Sequence, residues 1–485
     1  MPFILGTNSI KDTTFNVNNS LRFDRGSSER LHFTQGSGDD TTARRKWTFS
    51  TWIKRGQLVN SSNHQYFFGV GTYTLIGFRL DGSGEADDMY IQVGTGSSAQ
   101  GIHTNAKFRD SSAWMHVYVA FDSTDGTAAN RIKAYINGNL IDNAYGDYSM
   151  DQRSSITQND EDDFVGNSGD VINIGYSTNG TNSYFDGYMA ETHLLIGTTK
   201  AHTEFGESND DGVWIPKKTN FSTSDYGSNG FKLEYKQTGT SANSSGLGAD
   251  TSGNNNHFSV SNLTSVDQST DTCTNNFATL NPLVPTPDAS WSEGNLKITG
   301  SDATEYSSNN PATIGVSSGK WYMEIEYDSA GSNTNPYIGI CPISASATTN
   351  MTGSVTDACV IRMDNELYTE GSSTQNFFGS SISAGNIIGI ALDMDNQKVW
   401  FHLNGTYPNS GNPATGSNAA FSGITSGETM TFCARALNGV FKFNFGSPIF
   451  TISSGNSDGE GHGNFEYAVP SGYFALCSKN LAEYG

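Results

Sequence analysis

The chain is 485 residues long, carries a formal net charge of −22 and contains 54 glycines but only 16% charged residues. An acidic chain without a basic run repels polyanions, which excludes nucleic acid and anionic membrane surfaces as partners. The shortage of strong helix formers argues against long helices, and no apolar stretch approaches the roughly eighteen residues that a membrane span requires.

Residues 1–20 are polar apart from the apolar patch Phe3, Ile4 and Leu5. They lack a basic segment followed by a long apolar one, so we predict no secretory signal. We expect this segment to be an arm or an edge strand. We also expect it to anchor the chain in an assembly, because termini of this composition are ordered only when something holds them.

Short segments of alternating apolar and polar residues, separated by Gly, Asn, Asp or Ser, fill residues 21–200. They include RLHFTQ, WTFSTWIKR, QYFFGV, DMYIQV, WMHVYVAFD and VINIGYS. Many short strands at even spacing, with turn residues between them, predict a β-sandwich or a barrel.

Residues 201–285 are rich in turn-forming residues, and FKLEYK is the clear strand signal among them. We predict an irregular linker layer that ends at a cluster of prolines, Pro282, Pro285 and Pro287. Strand signals resume in residues 286–480, with KWYMEIEYD, NIIGIALDMD, KVWFHLNG and VFKFNFG.

One phrase occurs in both halves of the chain: IKAYINGN at 132–139 and KVWFHLNG at 398–405 each end an alternating strand on Asn-Gly. Asn-Gly predicts a type I′ hairpin turn, because both central residues of that turn need a positive φ. Each phrase also follows an alternating strand and an Asp-containing turn. The recurrence predicts an all-β fold made of two jelly-roll sandwiches.

The segments that carry these signals also resemble known families. SLRFD, SERLHFT and RRKWTFSTWIKRG, with the closing YFDGYMAETHLLIG, resemble the laminin G-like, concanavalin A-like domains of phage tail and fibre proteins. ATIGVSSGKWYMEIEY, GNIIGIALDMDNQKVWFHLNG and FNFG are similar to a SPRY domain. DTSGNNNHFSVSNLTSVDQSTDTCTNNFATLNP and PSGYFALCSKNL resemble segments that accompany both domains in phage virion proteins. The resemblance implies two concanavalin A-like jelly rolls, at 21–200 and 286–480.

Some members of that superfamily hydrolyse glycans, and Glu324 and Glu326 in YMEIEY are the best carboxylate pair for such a reaction. Retaining glycosidases hold two carboxylates about 5–5.5 Å apart. However, the strand resembles a SPRY strand whose Glu is not catalytic, and it lacks the third alternating carboxylate of glucanases. No His-Glu-x-x-His motif occurs. We therefore predict a solvent-facing pair, no catalytic residue and no enzyme.

Two acidic loops are the candidates for a metal site. Asp87 and Asp88 occur in GEADDMY, and Asp162 and Asp163 occur in NDEDDF. The laminin G resemblance implies calcium, whose hard oxygen ligands such loops supply, although the spacing matches no EF-hand. The alternative is a solvated acidic loop, and we predict no other cofactor.

The cysteines and several tyrosines could also react or bind a ligand, but each has a simpler structural explanation. The five cysteines lack CxxC spacing, which predicts buried free thiols rather than disulfides or zinc ligands. Tyr73, Tyr145, Tyr148 and Tyr407 lie near turns, where they would either stack on sugars or cover a sandwich edge.

The resemblance implies a structural protein of a bacteriophage virion, a tail appendage or fibre subunit that is made in the bacterial host cytoplasm. Its modules would bind a host-surface glycan or protein, and its other partners would be virion proteins and further copies of itself, a trimer by analogy with fibres. The alternatives are a capsid decoration or head fibre protein, a glycan-degrading virion enzyme and a secreted eukaryotic lectin.

Overall fold

The computed structural model describes most of the chain. The described residues are 15–58, 64–79, 87–95, 98–144, 148–179, 183–284, 289–301, 309–329, 331 and 336–485. They form two compact units, Thr13–Thr274 and one that includes Asn275–Gly485. Most of the predicted arm, residues 1–14, and the candidate Tyr145 lie outside the described residues.

The first unit is built from short strands, as the alternating segments predict. Its strands are β1 (Ser20–Phe23), β2 (Arg30–Thr34), β3 (Lys46–Arg55), β4 (Gln65–Val70), β5 (Thr74–Arg79), β6 (Asp88–Thr95), β7 (Ser98–Lys107), β8 (Trp114–Asp122), β9 (Ile132–Ile136), β10 (Asn139–Leu140), β11 (Tyr148–Asp151), β12 (Val171–Ile174), β13 (Gly187–Ile196), β14 (Gly206–Ser208), β15 (Trp214–Pro216), β16 (Phe231–Leu233), β17 (Ser259–Ser261) and β18 (Gln268–Ser269).

Two antiparallel sheets enclose the core of this unit. One has the order β10-β9-β8-β3-β13-β1-β18, with β16 paired to β13, and the other has the order β11-β7-β6-β5-β4-β12-β2-β17. Alternate residues of β3, among them Trp47, Phe49 and Ile53, are fully buried between the sheets. Period-two alternation therefore places one face of each strand in the core, as a sandwich requires.

Residues 201–274, which we predicted as a linker, belong to the first unit. They add β16 beside β13, β17 beside β2 and β18 beside β1. Each of these strands is only two or three residues long, which is too short for hydrophobic periodicity to reveal it. The first unit thus extends about seventy residues beyond the boundary that the sequence suggests.

The start of the described chain packs on the same unit. Val17 is buried, and its backbone N–H donates to Thr274 Oγ1 at 3.1 Å. Ser20 Oγ donates to the backbone carbonyl of Asp271 at 2.6 Å. Residues 15–20 are therefore part of the first sandwich rather than part of a free arm.

The second unit repeats the two-sheet arrangement. Its strands are β19 (Ala289–Ser292), β20 (Lys297–Gly300), β21 (Asn310–Pro311), β22 (Lys320–Ser329), β23 (Tyr337–Pro342), β24 (Cys359–Arg362), β25 (Glu366–Thr369), β26 (Ser372–Gln375), β27 (Ile387–Asp393), β28 (Lys398–Leu403), β29 (Met430–Arg435), β30 (Val440–Asn444) and β31 (Phe474–Ala475). The sheets have the orders β19-β20-β30-β22-β27-β28, with β31 beside β22, and β21-β29-β23-β24-β25-β26.

The repeated Asn-Gly phrase forms the same turn in both units. Asn137 and Gly138 have φ angles of 48° and 75°, and Asn404 and Gly405 have φ angles of 48° and 80°. The preceding strands pair as β8 with β9 and β27 with β28, both antiparallel. The predicted all-β fold of two concanavalin A-like sandwiches is confirmed.

Helices are short throughout the described residues. They are α1 (Ile141–Ala144), α2 (Ser478–Tyr484) and single 3₁₀ turns at Ala43–Arg45, Ala128–Asn130, Arg153–Ser155, His202–Glu204, Thr223–Tyr226, Ser265–Asp267, Pro408–Ser410 and Pro413–Thr415. Within this part of the chain, none is long and apolar enough to cross a membrane. The cysteines are free thiols as predicted, and all are buried except the half-buried Cys273.

Candidate functional site

The first acidic loop is neutralised by side chains of the protein itself. Asp87 Oδ1 accepts from Arg55 Nη1 at 2.8 Å, and Asp87 Oδ2 accepts from Arg109 Nε at 3.1 Å. Asp88 lies between His103, whose Nε2 is 3.3 Å from Asp88 Oδ2, and the Lys107 ammonium. A cation that bound here would have to displace these partners.

In the second acidic loop, Asp162 is buried and Asp163 is half-buried. The Asp162 carboxylate accepts from Trp47 Nε1 at 2.9 Å, from Thr74 Oγ1 at 2.9 Å and from the backbone N–H of Phe164 at 2.9 Å. Burial raises the pKa of Asp162 to about 6. Asp163 is half-buried, and its backbone N–H donates to Gly94 O at 2.8 Å. Asp162 therefore fixes the loop against the starts of β3 and β5.

In the described ranges, no three His, Cys, Asp or Glu side chains cluster in a way that could hold a metal ion. Calcium binding at Asp87, Asp88, Asp162 and Asp163 stays a prediction.

Another buried carboxyl of the first sandwich makes its stability depend on pH. Asp186 is fully buried and accepts from the backbone N–H of Gln57 at 2.9 Å. Burial, and then the neighbouring Asp24 carboxylate, raise the pKa of Asp186. A raised folded-state pKa contributes stability that is complete below the unfolded value of about 3.9 and is lost as pH rises through the folded value.

We therefore expect Asp186→Asn to gain stability relative to the wild type as pH rises from about 5 to about 8, by about 1.4 kcal/mol for each pH unit between pH 5 and the folded-state pKa of Asp186. Denaturant titration at both pH values, with hydrogen exchange on peptides of 13–274, measures this difference. Asp211→Asn, at an exposed loop position, is the control. A difference that does not change with pH would show that Asp186 is ionised in the folded state throughout.

Glu324 is buried, so the predicted solvent-facing position is wrong for this residue. It is 0% exposed because the segment 453–467 covers it. Its carboxylate accepts from the backbone N–H groups of Glu466 at 2.8 Å and Tyr467 at 2.7 Å. Glu326, two residues along β22, is half-buried and lies 3.7 Å from Lys442 Nζ. The two carboxylates thus serve different structural contacts.

A directed chain of hydrogen bonds ends on Glu324. The Gly405 N–H donates to His402 Nδ1 at 3.0 Å, which places the imidazole proton on Nε2. His402 Nε2 then donates to the Tyr322 hydroxyl at 2.7 Å, and that hydroxyl donates to Glu324 Oε1 at 3.0 Å. Burial lowers the pKa of His402 to about 3, so the imidazole stays neutral and keeps this hydrogen-bond pattern at neutral pH.

A serine and a histidine also meet in the first sandwich, but with the wrong proton arrangement for a nucleophile and its base. Ser50 Oγ is 2.8 Å from His116 Nε2, and Trp214 Nε1 donates to His116 Nδ1 at 3.1 Å. An indole N–H can only donate, so the neutral His116 carries its proton on Nε2 and donates to the serine. A catalytic base would accept the serine proton instead.

One cleft of the second sandwich lies beside the β25–β26 hairpin. We call it the hairpin cleft; it has a volume of about 500 Å³ and is lined by Met363, Asp364, Asn365, Glu366, Gln375, Asn376, Ser381 and Ile382. Ligand pockets typically measure about 300–1,000 Å³. This cleft is therefore large enough for a small ligand.

Asn365 builds the wall of the hairpin cleft. It ends the tight turn between β24 and β25, where its φ of 69° suits the asparagine side chain. Its Nδ2 donates to Asn376 Oδ1 and to the Ser380 carbonyl, each at 2.9 Å, and its Oδ1 accepts from the Phe378 N–H at 2.9 Å. One buried amide thus fixes the loop after β26 against the turn before β25.

Charge in the hairpin cleft is partly compensated. Arg362 Nε donates to both Asp364 oxygens at 2.9 Å, and Arg362 Nη2 also contacts Glu366. Glu366 Oε2 accepts from the Tyr368 hydroxyl at 2.8 Å. Two carboxylates and one guanidinium leave this group with one excess negative charge.

A second, smaller cleft lies next to the same loop. This aromatic cleft has a volume of about 230 Å³ and is lined by Phe377, Trp400, Phe401, Tyr407, Pro408, Asn409, Gly411, Asn418, Ala419 and Ala420. Trp400 is nearly fully buried, and its Nε1 donates to the Ser417 carbonyl at 2.8 Å. The rings therefore form a cleft floor rather than an exposed stacking platform.

The predicted sugar-stacking tyrosines are spread over both units. Tyr73 is 41% exposed and packs edge-on against Phe164, and Tyr148 is half-buried under the Arg153 guanidinium. Tyr407 lines the aromatic cleft. Sequence reasoning did not find the hairpin cleft, because its lining comes from a turn, an edge strand and a loop that carry only general turn signals.

The comparisons with known proteins agree with this architecture. Residues 25–197 match the laminin G group of the concanavalin A-like lectin/glucanases superfamily, and residues 320–448 match the SPRY domain. The first sandwich is thus a laminin G-like domain and the second contains a SPRY domain, both of them β-sandwich binding folds. No curated protein matches the chain.

Three solved structures are similar to parts of the chain. The SPRY domain of human HERC1 is 19% identical, with a TM-score of 0.27, over 34% of this chain and 96% of its own. A second human SPRY domain is 13% identical, with a TM-score of 0.25, over 33% of this chain and 94% of its own. A heptameric SAP-like pentraxin from Limulus polyphemus is 16% identical, with a TM-score of 0.24, over 40% of this chain and 76% of its own.

Proposed function

We propose that this chain is a structural protein of a bacteriophage virion, a tail appendage or fibre subunit that recognises a surface without catalysis. The observation that carries the proposal is the combination of two lectin-like binding folds in one chain, each with its own core. The resemblance of the segments that join and follow these domains to virion proteins supplies the context. The alternative is that the chain is a capsid decoration or head fibre protein instead of a tail protein.

The proposed recognition surface is the hairpin cleft of the second sandwich. Loops and hairpins held by a rigid scaffold are the usual place for binding residues. The buried Ser50–His116 and Glu324 networks serve the fold, so they support a role in binding rather than in hydrolysis. Other virion proteins and further copies of the chain would be its partners in the particle.

Deletion of residues 2–14 should leave both sandwiches folded but prevent incorporation into virions, because this segment is the proposed anchor. The deletion stops before Phe15, since residues 15–20 pack on the first sandwich. Particles from the source culture, purified on a density gradient and probed with antibodies to the chain, provide the measurement. A matched substitution of Lys218, exposed on a loop, by alanine should not affect incorporation.

The chain should sediment with particles when intact and remain in the soluble fraction when truncated. If the intact chain never sediments with particles, the virion proposal is wrong. If the truncated chain incorporates normally, the anchor lies in another segment.

A further inference from the structure

We propose that the hairpin cleft binds an uncharged glycan through the hydroxyl groups of one or two sugar residues. The inference deepens the proposed recognition function, on which it rests, by naming the ligand class and the residues that contact it. The proposed site lies entirely in the second sandwich, within Asn275–Gly485.

The charges around the cleft disfavour an anionic ligand. None of the residues that line the hairpin cleft is Lys, Arg or His, and the nearest guanidinium, Arg362, already pairs with Asp364 and Glu366. The chain as a whole carries −22. Phosphate, sulfate and uronate groups would therefore meet a negative field without a cation to compensate it.

The same contacts also disfavour a strongly cationic ligand. Arg362 stacks over Tyr368, with its guanidinium carbon 4.9 Å from the ring centroid, and holds both cleft carboxylates. A second cation would compete with this fixed guanidinium for the same oxygens. Only one net negative charge is left to attract it.

The polar groups that remain match hydroxyls. Gln375, Asn376 and Ser381 are exposed at the cleft, where the Gln375 side chain also hydrogen-bonds Glu366. Amide and hydroxyl side chains supply both donors and acceptors. The oxygen of Asn376 accepts from Asn365, which fixes the amide and leaves its N–H groups as donors. Carboxylate acceptors beside amide donors suit adjacent sugar hydroxyls, each of which donates one hydrogen bond and accepts others.

The cleft also has an apolar component and a fixed shape. Met363 and Ile382 line it, and they would contact the C–H groups of a sugar ring. The three hydrogen bonds of the Asn365 side chain hold the loop before a ligand arrives. A preformed site loses less conformational entropy on binding than a mobile one.

The test is a binding titration of the full-length chain by saturation-transfer NMR. The uncharged probes are short oligosaccharides of glucose, galactose, mannose, rhamnose and N-acetylglucosamine; the charged probes are oligogalacturonate, a heparin oligosaccharide and oligolysine. We expect at least one uncharged oligosaccharide to bind, with an affinity that does not change as salt rises from about 0.05 to 0.5 M. We also expect this oligosaccharide to remain uncleaved.

Substitutions at exposed positions of the cleft should weaken that binding and leave the fold intact. Asp364→Ala and Gln375→Ala should each reduce the affinity about tenfold, since each removes a polar contact. The matched control is Thr374→Ala, because Thr374 is equally exposed on β26 but pairs with the core residue Leu367 on the opposite face. Its affinity should equal that of the wild type.

Three results would overturn the inference: no binding of any uncharged probe, binding that both cleft variants leave unchanged, or preferential and salt-sensitive binding of oligolysine. None of them bears on the virion proposal, which is tested separately by sedimentation with particles. Conversely, glycan binding by a chain that never enters particles would support this inference and contradict the virion role.

Discussion

Substitution of Asp271 by alanine should destabilise the first sandwich by about 3–5 kcal/mol, because it removes the carboxylate that pairs with the buried Lys54 ammonium. Asp271 Oδ2 is 2.8 Å from Lys54 Nζ, and the two side chains are 2% and 0% exposed. Asp271 Oδ1 also accepts from Trp114 Nε1 at 2.9 Å. These contacts hold the residues just after β18 against β3 and β8.

The control for this prediction is an exposed ion pair in the same unit. Lys217 Nζ and Glu207 Oε2 are 3.4 Å apart, with side chains 45% and 36% exposed. Glu207→Ala should cost less than about 1 kcal/mol, because solvent screens such pairs. Lys54→Met combined with Asp271→Leu should recover most of the stability lost in Asp271→Ala, since the double variant buries no unpaired charge.

Denaturant titration with hydrogen exchange on peptides of 13–274 measures the free energy of unfolding of this unit. If Asp271→Ala and Glu207→Ala lose the same small amount, Lys54 finds another partner or reaches solvent, and the proposed role of the pair is wrong.

Substitution of Glu324 by alanine should destabilise the second sandwich by about 3–5 kcal/mol. The change removes the acceptor for the N–H groups of Glu466 and Tyr467 and for the hydroxyl of Tyr322. Each buried donor that loses its partner costs about 1–3 kcal/mol. We expect the segment 453–467 to exchange its amide hydrogens faster than in the wild type.

Glu326→Ala is the matched control, because Glu326 lies on the same face of β22 but is half-buried beside Lys442. It should cost about 1 kcal/mol or less. Hydrogen exchange and denaturant titration of both variants give the comparison. Equal stability of the two variants would mean that water or another side chain satisfies the donors around position 324.

Local sequence features predicted the fold class and the repeated architecture. Alternation in WTFSTWIKR and KVWFHL places one face of each strand in a core, since successive side chains point to opposite faces. Asn137-Gly138 and Asn404-Gly405 predict their turns because few other residue pairs adopt positive φ at both positions. Both features depend only on neighbouring residues, so the sequence alone determines them.

The tertiary structure decided the extent of the first unit and the environment of each carboxylate. Strands β16, β17 and β18 are too short to show periodicity, and each pairs with a strand that is distant in the sequence. On either side of β18, Asp267 and Asp271 contact Arg22 and Lys54 across more than two hundred positions. The pattern of its strand predicts that Glu324 faces solvent, but in the structure the segment 453–467 covers it.

The hairpin cleft shows the same limit of local reasoning. Its residues Asp364, Gln375 and Ser381 carry ordinary turn and edge-strand signals, and only the packing of the Asn365 side chain brings them around one space. Fold class follows from interactions between near neighbours, whereas burial, ion pairing and cleft shape follow from long-range contacts that no short stretch of sequence contains.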